Sequence, residues 1–226
     1  MATWSIPAPD FLIADVGSTI AVRQDGGWER SRGWDHELEN SWNGREAGNL
    51  AVLLDDLPGL TLQDPSRQSR FKRSYHTPAT AGEPEVVEAI RRRLTRAGVL
   101  SQVIWSLDDH QGHGLVDGLP EAASKQQALE FLLRQLSRDR SEVLFAGDSG
   151  NDLDVLAGPI PAVLVANASD AVREAARRRA REAGNQDALD CARGGVLGMN
   201  GNYAAGILEG LLHYHPEWTA VLQAGP

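Results

Sequence analysis

The stretch VLFAGDSGNDLDVL, Val143 to Leu156, decides how the rest of this chain is read. Its apolar opening is a short strand that delivers Asp148 at its carboxyl end, where open α/β sheets place their ligands. Gly147 and Gly150 allow a tight turn, and Asp152, four residues after Asp148, falls in the first turn of the next helix. Two carboxylates converging at a strand end make a hard-oxygen site suited to Mg²⁺, with water and a phosphate filling its other positions. Asn151 can orient one of them. The plainer alternative is an Asp/Gly/Asn loop that only caps a helix. A cap, however, needs a single acidic residue and not a strand-GDSGND-helix frame.

Working outward, strand and helix alternate. Ser124 to Leu136 is a predicted helix with Ala128, Leu129, Leu132 and Leu136 on one face. Beyond the loop come a strand over Pro161–Ala166, a helix over Asp170–Ala183 and a final helix over Tyr203–Tyr214. This alternation predicts a parallel, doubly wound sheet. Toward the N-terminus, Phe11 to Val22 reads as a buried strand running into a small-residue turn at Gly17-Ser18. A polar and aromatic stretch follows, with Trp28, Trp34 and Trp42. Arg70–His76 as a strand, Pro84–Arg96 as an amphipathic helix with Val86, Val87, Ile90 and Leu94 inward, and Val99–Leu107 as a second strand compose a separate small α/β unit. The Gly/His-rich segment His110–Gly114 reads as a linker.

Composition narrows the function. With 226 residues, 42% hydrophobic, the chain can build a real core. No run approaches the roughly 18 apolar residues of a membrane span. The first residues lack a basic region and a cleavage-type site, so a cytoplasmic protein is expected. A lone Cys191 excludes an internal disulfide or a cysteine zinc cluster. A formal charge of −9, from 22 basic and 31 acidic residues, argues against nucleic acid as a partner.

Lys125, at the start of the helix before the GDSGND strand, opposes the helix dipole, so a phosphate or a carboxylate is expected beside it. A Lys in this context followed by GDSGND resembles the haloacid dehalogenase (HAD) superfamily of phosphatases, and the wider pattern resembles its sucrose-6-phosphate phosphatase-like branch. FLIADVGSTI, the aromatic stretch ending at Trp42, FKRSYH, VDGLPEAASKQQALEFL, GDSGND and GNYAAGILEGLLHYHP run in that branch's order. The resemblance implies a HAD-like Rossmannoid parallel-sheet core with an inserted α/β cap. Residues 1–22 and 118–226 would belong to the core and 23–117 to the cap. It implies Mg²⁺-dependent hydrolysis of a sugar phosphate. Lys125 and Asp148 would be catalytic, and Asp148, with Asp152 through water or at one remove, would hold the metal. Lys72, Ser74, Tyr75, Asp117 and Asn151 would contact substrate, an ammonium bonding hydroxyls and an aromatic face covering C–H groups.

HAD phosphatases attack phosphorus with the first Asp of a D-x-D-x-T motif, and the second Asp moves the proton. Asp15-Val-Gly17-Ser-Thr19 has Gly17 where that second Asp belongs, and glycine cannot transfer a proton. By resemblance FLIADVGSTI matches a later strand leading into the cap, so the nucleophile motif and the Ser/Thr motif after it are expected to be missing from these residues. Three sources of this gap stay open: an upstream segment, another chain such as a sucrose-phosphate-synthase-like protein, or a non-catalytic descendant that binds a sugar phosphate or a partner. Thr19 stands where the branch tends to carry Glu and Ala122 where it carries Arg, which leaves room for another disaccharide phosphate. Arg91–Arg93 and Arg177–Arg179 read as solvated helix faces, His110 and His113 as exposed, the tryptophans as cap packing and Cys191 as inert.

Overall fold

The computed structural model describes residues 7–78, 83–108 and 112–224. The chain divides into two compact units, residues 1–128 and 129–226.

In the first unit, β1 (Phe11–Ala14), β2 (Thr19–Gln24) and β3 (Gly27–Arg30) form an antiparallel sheet in that order. This corrects the expectation of a buried strand. Phe11 and Ile13 are half-buried, whereas Leu12 and Ala14 face solvent. Four apolar residues in a row carry no alternation, so the sequence could not tell a one-sided antiparallel strand from a doubly covered parallel one. Next comes α1 (Arg32–Ser41), whose N-cap Ser31 accepts the Trp34 N–H. It buries Trp34 and Leu38, and the Trp34 indole donates to Gly17 O at 3.0 Å. Trp42 is fully buried as well, its indole donating to Ser101 Oγ at 3.0 Å, while Trp28 remains exposed.

After α2 (Ala51–Leu54), the second sheet comprises β4 (Thr61–Leu62), β5 (Arg73–Pro78), β6 (Ser101–Asp108) and β7 (His113–Pro120), with α3 (Glu83–Arg96) between β5 and β6. The order is β4-β5-β7-β6, all antiparallel. The predicted strand, helix and strand are present, but β7, which was read as linker and motif, lies between the two strands. Its sequence HGLVDGLP is rich in turn residues, and one glycine has a specific reason to be there. A Cβ on Gly114 would sit 2.2 Å from Thr77 Oγ1 and 2.8 Å from Trp105 Nε1, so only glycine lets these neighbours close over the strand.

On one side of β5, Arg73 grips Asp55 with Nη2 2.6 Å from Oδ2, and the Tyr75 hydroxyl donates to Asp55 Oδ1 at 2.6 Å. Burial pushes the Asp55 carboxyl up, but the hydrogen bonds from Arg73 and Tyr75 and the guanidinium charge outweigh it and hold the group below its usual 3.8. A carboxyl depressed by folding contributes stability above its unfolded pKa and loses that contribution as pH falls through the folded value. Acid titration of unfolding is therefore expected to show a loss of stability below about pH 4 that is smaller in Asp55→Asn. Identical profiles for the two proteins would remove Asp55 from the acid response.

The helix α4 (Lys125–Leu136) straddles the boundary between units. The second unit is the parallel α/β fold the alternation predicted: β8 (Phe145–Gly147), α5 (Leu153–Leu156), β9 (Ala162–Leu164), α6 (Asp170–Glu182), β10 (Leu189–Cys191), α7 (Ala204–Tyr214) and α8 (Thr219–Ala224). The sheet order is β10-β9-β8, parallel throughout. The central β9 is wholly buried, whereas the edge strand β8 is half-buried. On α7, Gly206 and Gly210 let the helix lie close on β9 and its extension. A Cβ on Gly210 would be 2.5 Å from Val163 Cβ. No helix among the described residues is long and apolar enough to cross a membrane.

Candidate active site

β8 ends at Gly147, and Asp148 follows with its side chain exposed. Its Oδ2 accepts a hydrogen bond from Asn167 Nδ2 at 3.3 Å, while Asn167 Oδ1 accepts the Tyr203 N–H at 2.8 Å. Asn167 therefore ties the loop after β9 to the loop after β8 and to the start of α7. It was not singled out from sequence. A polar residue just past the end of a strand parallel to β8 was the available signal, since parallel neighbours deliver their following residues to the same sheet end.

Asp152 is buried, and its Oδ2 accepts the N–H groups of Asp148 and Ser149, each at 3.2 Å. The Ser149 hydroxyl lies 3.0 Å from the same oxygen and 2.9 Å from Asn151 Oδ1, sharing its single proton. Ser149 and Asp152 form a reciprocal capping box at the helical turn Gly150–Asp152. So the plainer reading of this loop holds for one oxygen of Asp152, and the frame serves to aim Asp148. Gly147 is needed here: a Cβ would lie 2.9 Å from the Asp152 carboxyl carbon. Asn151 is exposed beside this loop.

The donor set is compatible with Mg²⁺. Asp148 presents a solvent-facing carboxylate, and Mg²⁺ is commonly bound by one or two carboxylates while keeping several waters. Among the described residues no group of three or more His, Cys, Asp or Glu could hold a metal by itself.

In the first unit, Lys72, His76, Leu115, Asp117, Gln63, Asp64 and Arg67 line a cavity of about 440 Å³. Strand alternation explains the set. Residues 72, 74 and 76 share a face, and the register pairs Ser74 with Asp117 and His76 with Leu115. His76 and Arg67 were missed in the sequence, although His76 was legible from its two-residue spacing to Ser74. His76 Nδ1 is buried without a hydrogen-bond partner among the described residues. Ser74 donates to Asp117 Oδ1 at 2.5 Å, orienting that carboxylate.

Tyr75 requires a correction. It was expected to cover a sugar, but its odd position in the alternation turns it to the opposite face. There it is buried and engaged with Asp55 and Arg73. Burial and the Asp55 carboxylate push its phenol well above 10. Lys125 is the first residue of α4 and half-buried. His113 is exposed, its ring 5.9 Å from that of His76, and His110 lies outside the described residues. Cys191 is buried and free. Arg91 and Arg92 are solvated, but Arg93 pairs with Asp56.

A parallel sheet with an exposed Asp past one strand, in a chain also carrying an antiparallel α/β unit, has the architecture of HAD-like hydrolases. Its likeness to solved HAD-type structures agrees with this. The crystal structure of the sucrose-phosphatase from Synechocystis sp. PCC6803, in complex with sucrose and phosphate, aligns with a TM-score of 0.69 and 26% identity. That alignment covers 92% of this chain and 75% of that one. The family whose model matches is sucrose-6F-phosphate phosphohydrolase, over residues 1–215, and the chain belongs to it. A HAD-like hydrolase of Nitrosococcus oceani is 41% identical over 98% of this chain and 60% of its own length. Sucrose-phosphatase 2 of Nicotiana tabacum is 30% identical over 72% of this chain and 36% of its own length. The chain thus spans 60% and 36% of the length of these two curated relatives.

Proposed function

We propose that the chain works in a Mg²⁺-dependent phosphomonoester hydrolase whose substrate is a disaccharide phosphate of the sucrose 6-phosphate type. The observation that carries this reading is Asp148, presented bare at the carboxyl end of β8 and steadied by Asn167. Asp148 would hold the metal, with Asp152 at one remove through water. When bound, Mg²⁺ would neutralise phosphate oxygens as charge shifts during transfer. Lys125 would stabilise the transferring phosphoryl charge, and Asn151 would contact it from the same loop as Asp148. Lys72 and Asp117 would bond sugar hydroxyls from the cavity, which His76 also lines. The division into core (1–22 and 118–226) and cap (23–117) belongs to this reading.

No D-x-D-x-T occurs in the 226 residues, so attack on phosphorus is assigned to a segment outside them. Among the described residues β8 is an edge strand of its parallel sheet. The test is phosphate release from sucrose 6-phosphate by the chain alone and by the chain joined to an upstream D-x-D-x-T segment. Release is expected only in the joined form and only with Mg²⁺. The same missing motif favours one second reading, a non-catalytic module that binds a sugar phosphate or a partner protein. Binding of sucrose 6-phosphate with no turnover in either form would select that reading.

A further inference from the structure

Asp15 is the residue the sequence offers as a nucleophile and then disqualifies, and the structure gives it other work. Its Oδ1 lies 3.5 Å from Lys72 Nζ, and its Oδ2 accepts the Thr19 hydroxyl at 2.8 Å. Thr19 in turn accepts from Arg30 Nη1 at 3.0 Å, and Arg30 is held by Asp35 at 2.7 Å. The chain Arg30–Thr19–Asp15–Lys72 is ordered from donor to acceptor with one proton per link up to the carboxylate, which then receives the ammonium. Lys72 is only 12% exposed. Its other neighbourhood is the cavity that it lines with Asp64, Arg67, His76 and Asp117. The backbone supports a dedicated role. Asp15 and Val16 sit at φ of 51° and 59°, a region costly for a β-branched residue, at the turn from which Asp15 meets both partners.

We propose that Asp15 is a positioning residue for Lys72 and a determinant of substrate class. It fixes the direction of the ammonium and cancels its charge, so that the cavity takes the neutral hydroxyl end of a phosphomonoester and disfavours a second anionic group. The charges lining the cavity agree. Two carboxylates, Asp64 and Asp117, face two cations, Arg67 and Lys72, and Asp15 tips that balance to the negative side. This deepens the function proposed above and rests on it.

The experiment uses Asp15→Asn, because Asn tolerates a left-handed φ and keeps the shape of the turn. Titration calorimetry with sucrose 6-phosphate and, as the doubly anionic probe, fructose 1,6-bisphosphate should show sucrose 6-phosphate binding weakened roughly tenfold. The ratio of the two affinities should shift toward the bisphosphate. In a Lys72→Met background the same substitution should change neither value by more than about twofold, since its effect runs through the ammonium. Equal weakening with and without Lys72, or an unchanged affinity ratio, would overturn the proposal. Thr19→Val, which frees the Asp15 carboxylate from its other partner, should act in the same direction to a smaller extent. If the parent chain binds neither sugar, the functional reading itself fails. The pair is then read by the ¹⁵N signal of the Lys72 ammonium, expected in the parent and lost in Asp15→Asn, and an unchanged signal sinks the pair as well.

Discussion

Asp148→Asn is expected to weaken Mg²⁺-dependent binding of sucrose 6-phosphate by at least about 100-fold, because loss of outer-shell partners alone costs metal sites 10–100-fold. The substitution changes charge and not shape. Asp148 is exposed, and its side chain takes a 3.3 Å hydrogen bond from Asn167 that a rotated amide can keep. Folding stability should therefore stay within about 0.5 kcal/mol. Asp152→Asn should behave in the opposite way. Its buried Oδ2 serves the N–H groups of Asp148 and Ser149, and an amide in that position weakens the cap. A cap is worth about 1 kcal/mol, so Asp152→Asn is expected to lower stability first and binding through it. Calorimetry with and without Mg²⁺, set beside thermal melts, separates the two residues. A change below threefold for Asp148→Asn would take Asp148 out of the metal site.

The contrast between the two carboxylates also shows what the sequence can carry. GDSGND after an apolar run was enough to place a strand, a tight turn and a helix start, because glycine, capping residues and a buried strand each leave a local signature. Spacing alone did not say which of the two aspartates faces water; only the resemblance put Asp148 on the metal and Asp152 at one remove. The parallel sheet in the second unit followed from the alternation of elements, but β10, only Leu189-Asp-Cys191, is too short and polar to stand out. In the first unit the errors have a common origin. FLIA lacks alternation, and β7 is a strand built from residues that usually make turns, because Gly114 must admit Thr77 and Trp105. Tyr75 was misplaced by attention to residue type when its position relative to Lys72 and Ser74 already fixed its face. A long-range pair such as Lys72 with Asp15 leaves no mark on one sequence, because nothing local requires it.

Gly17 carries the largest expected effect on folding. It sits at φ of 97°, where residues with a Cβ are strained, and the added carbon of Gly17→Ala would lie 2.3 Å from the Ser124 carbonyl carbon and 2.6 Å from Lys125 N. Neither neighbour is a flexible side-chain end: both are backbone at the entry to α4, whose first residue is Lys125. The turn cannot retreat freely, since the Trp34 indole holds Gly17 O from the other side at 3.0 Å. Strain of this kind adds to overpacking and belongs with the rare substitutions that cost about 4 kcal/mol or more, roughly 8–16 °C in melting temperature for a chain of this size. The melt is read by fluorescence of the buried Trp34 and Trp42. Gly150→Ala is the control: a Cβ there meets nothing within 4 Å, so a change within about 0.5 kcal/mol is expected. If Gly17→Ala melts within about 2 °C of the parent, the turn can move away from α4. The 15–17 turn would then not be the fixed support on which Asp15 holds Lys72 and against which the start of the Lys125 helix rests.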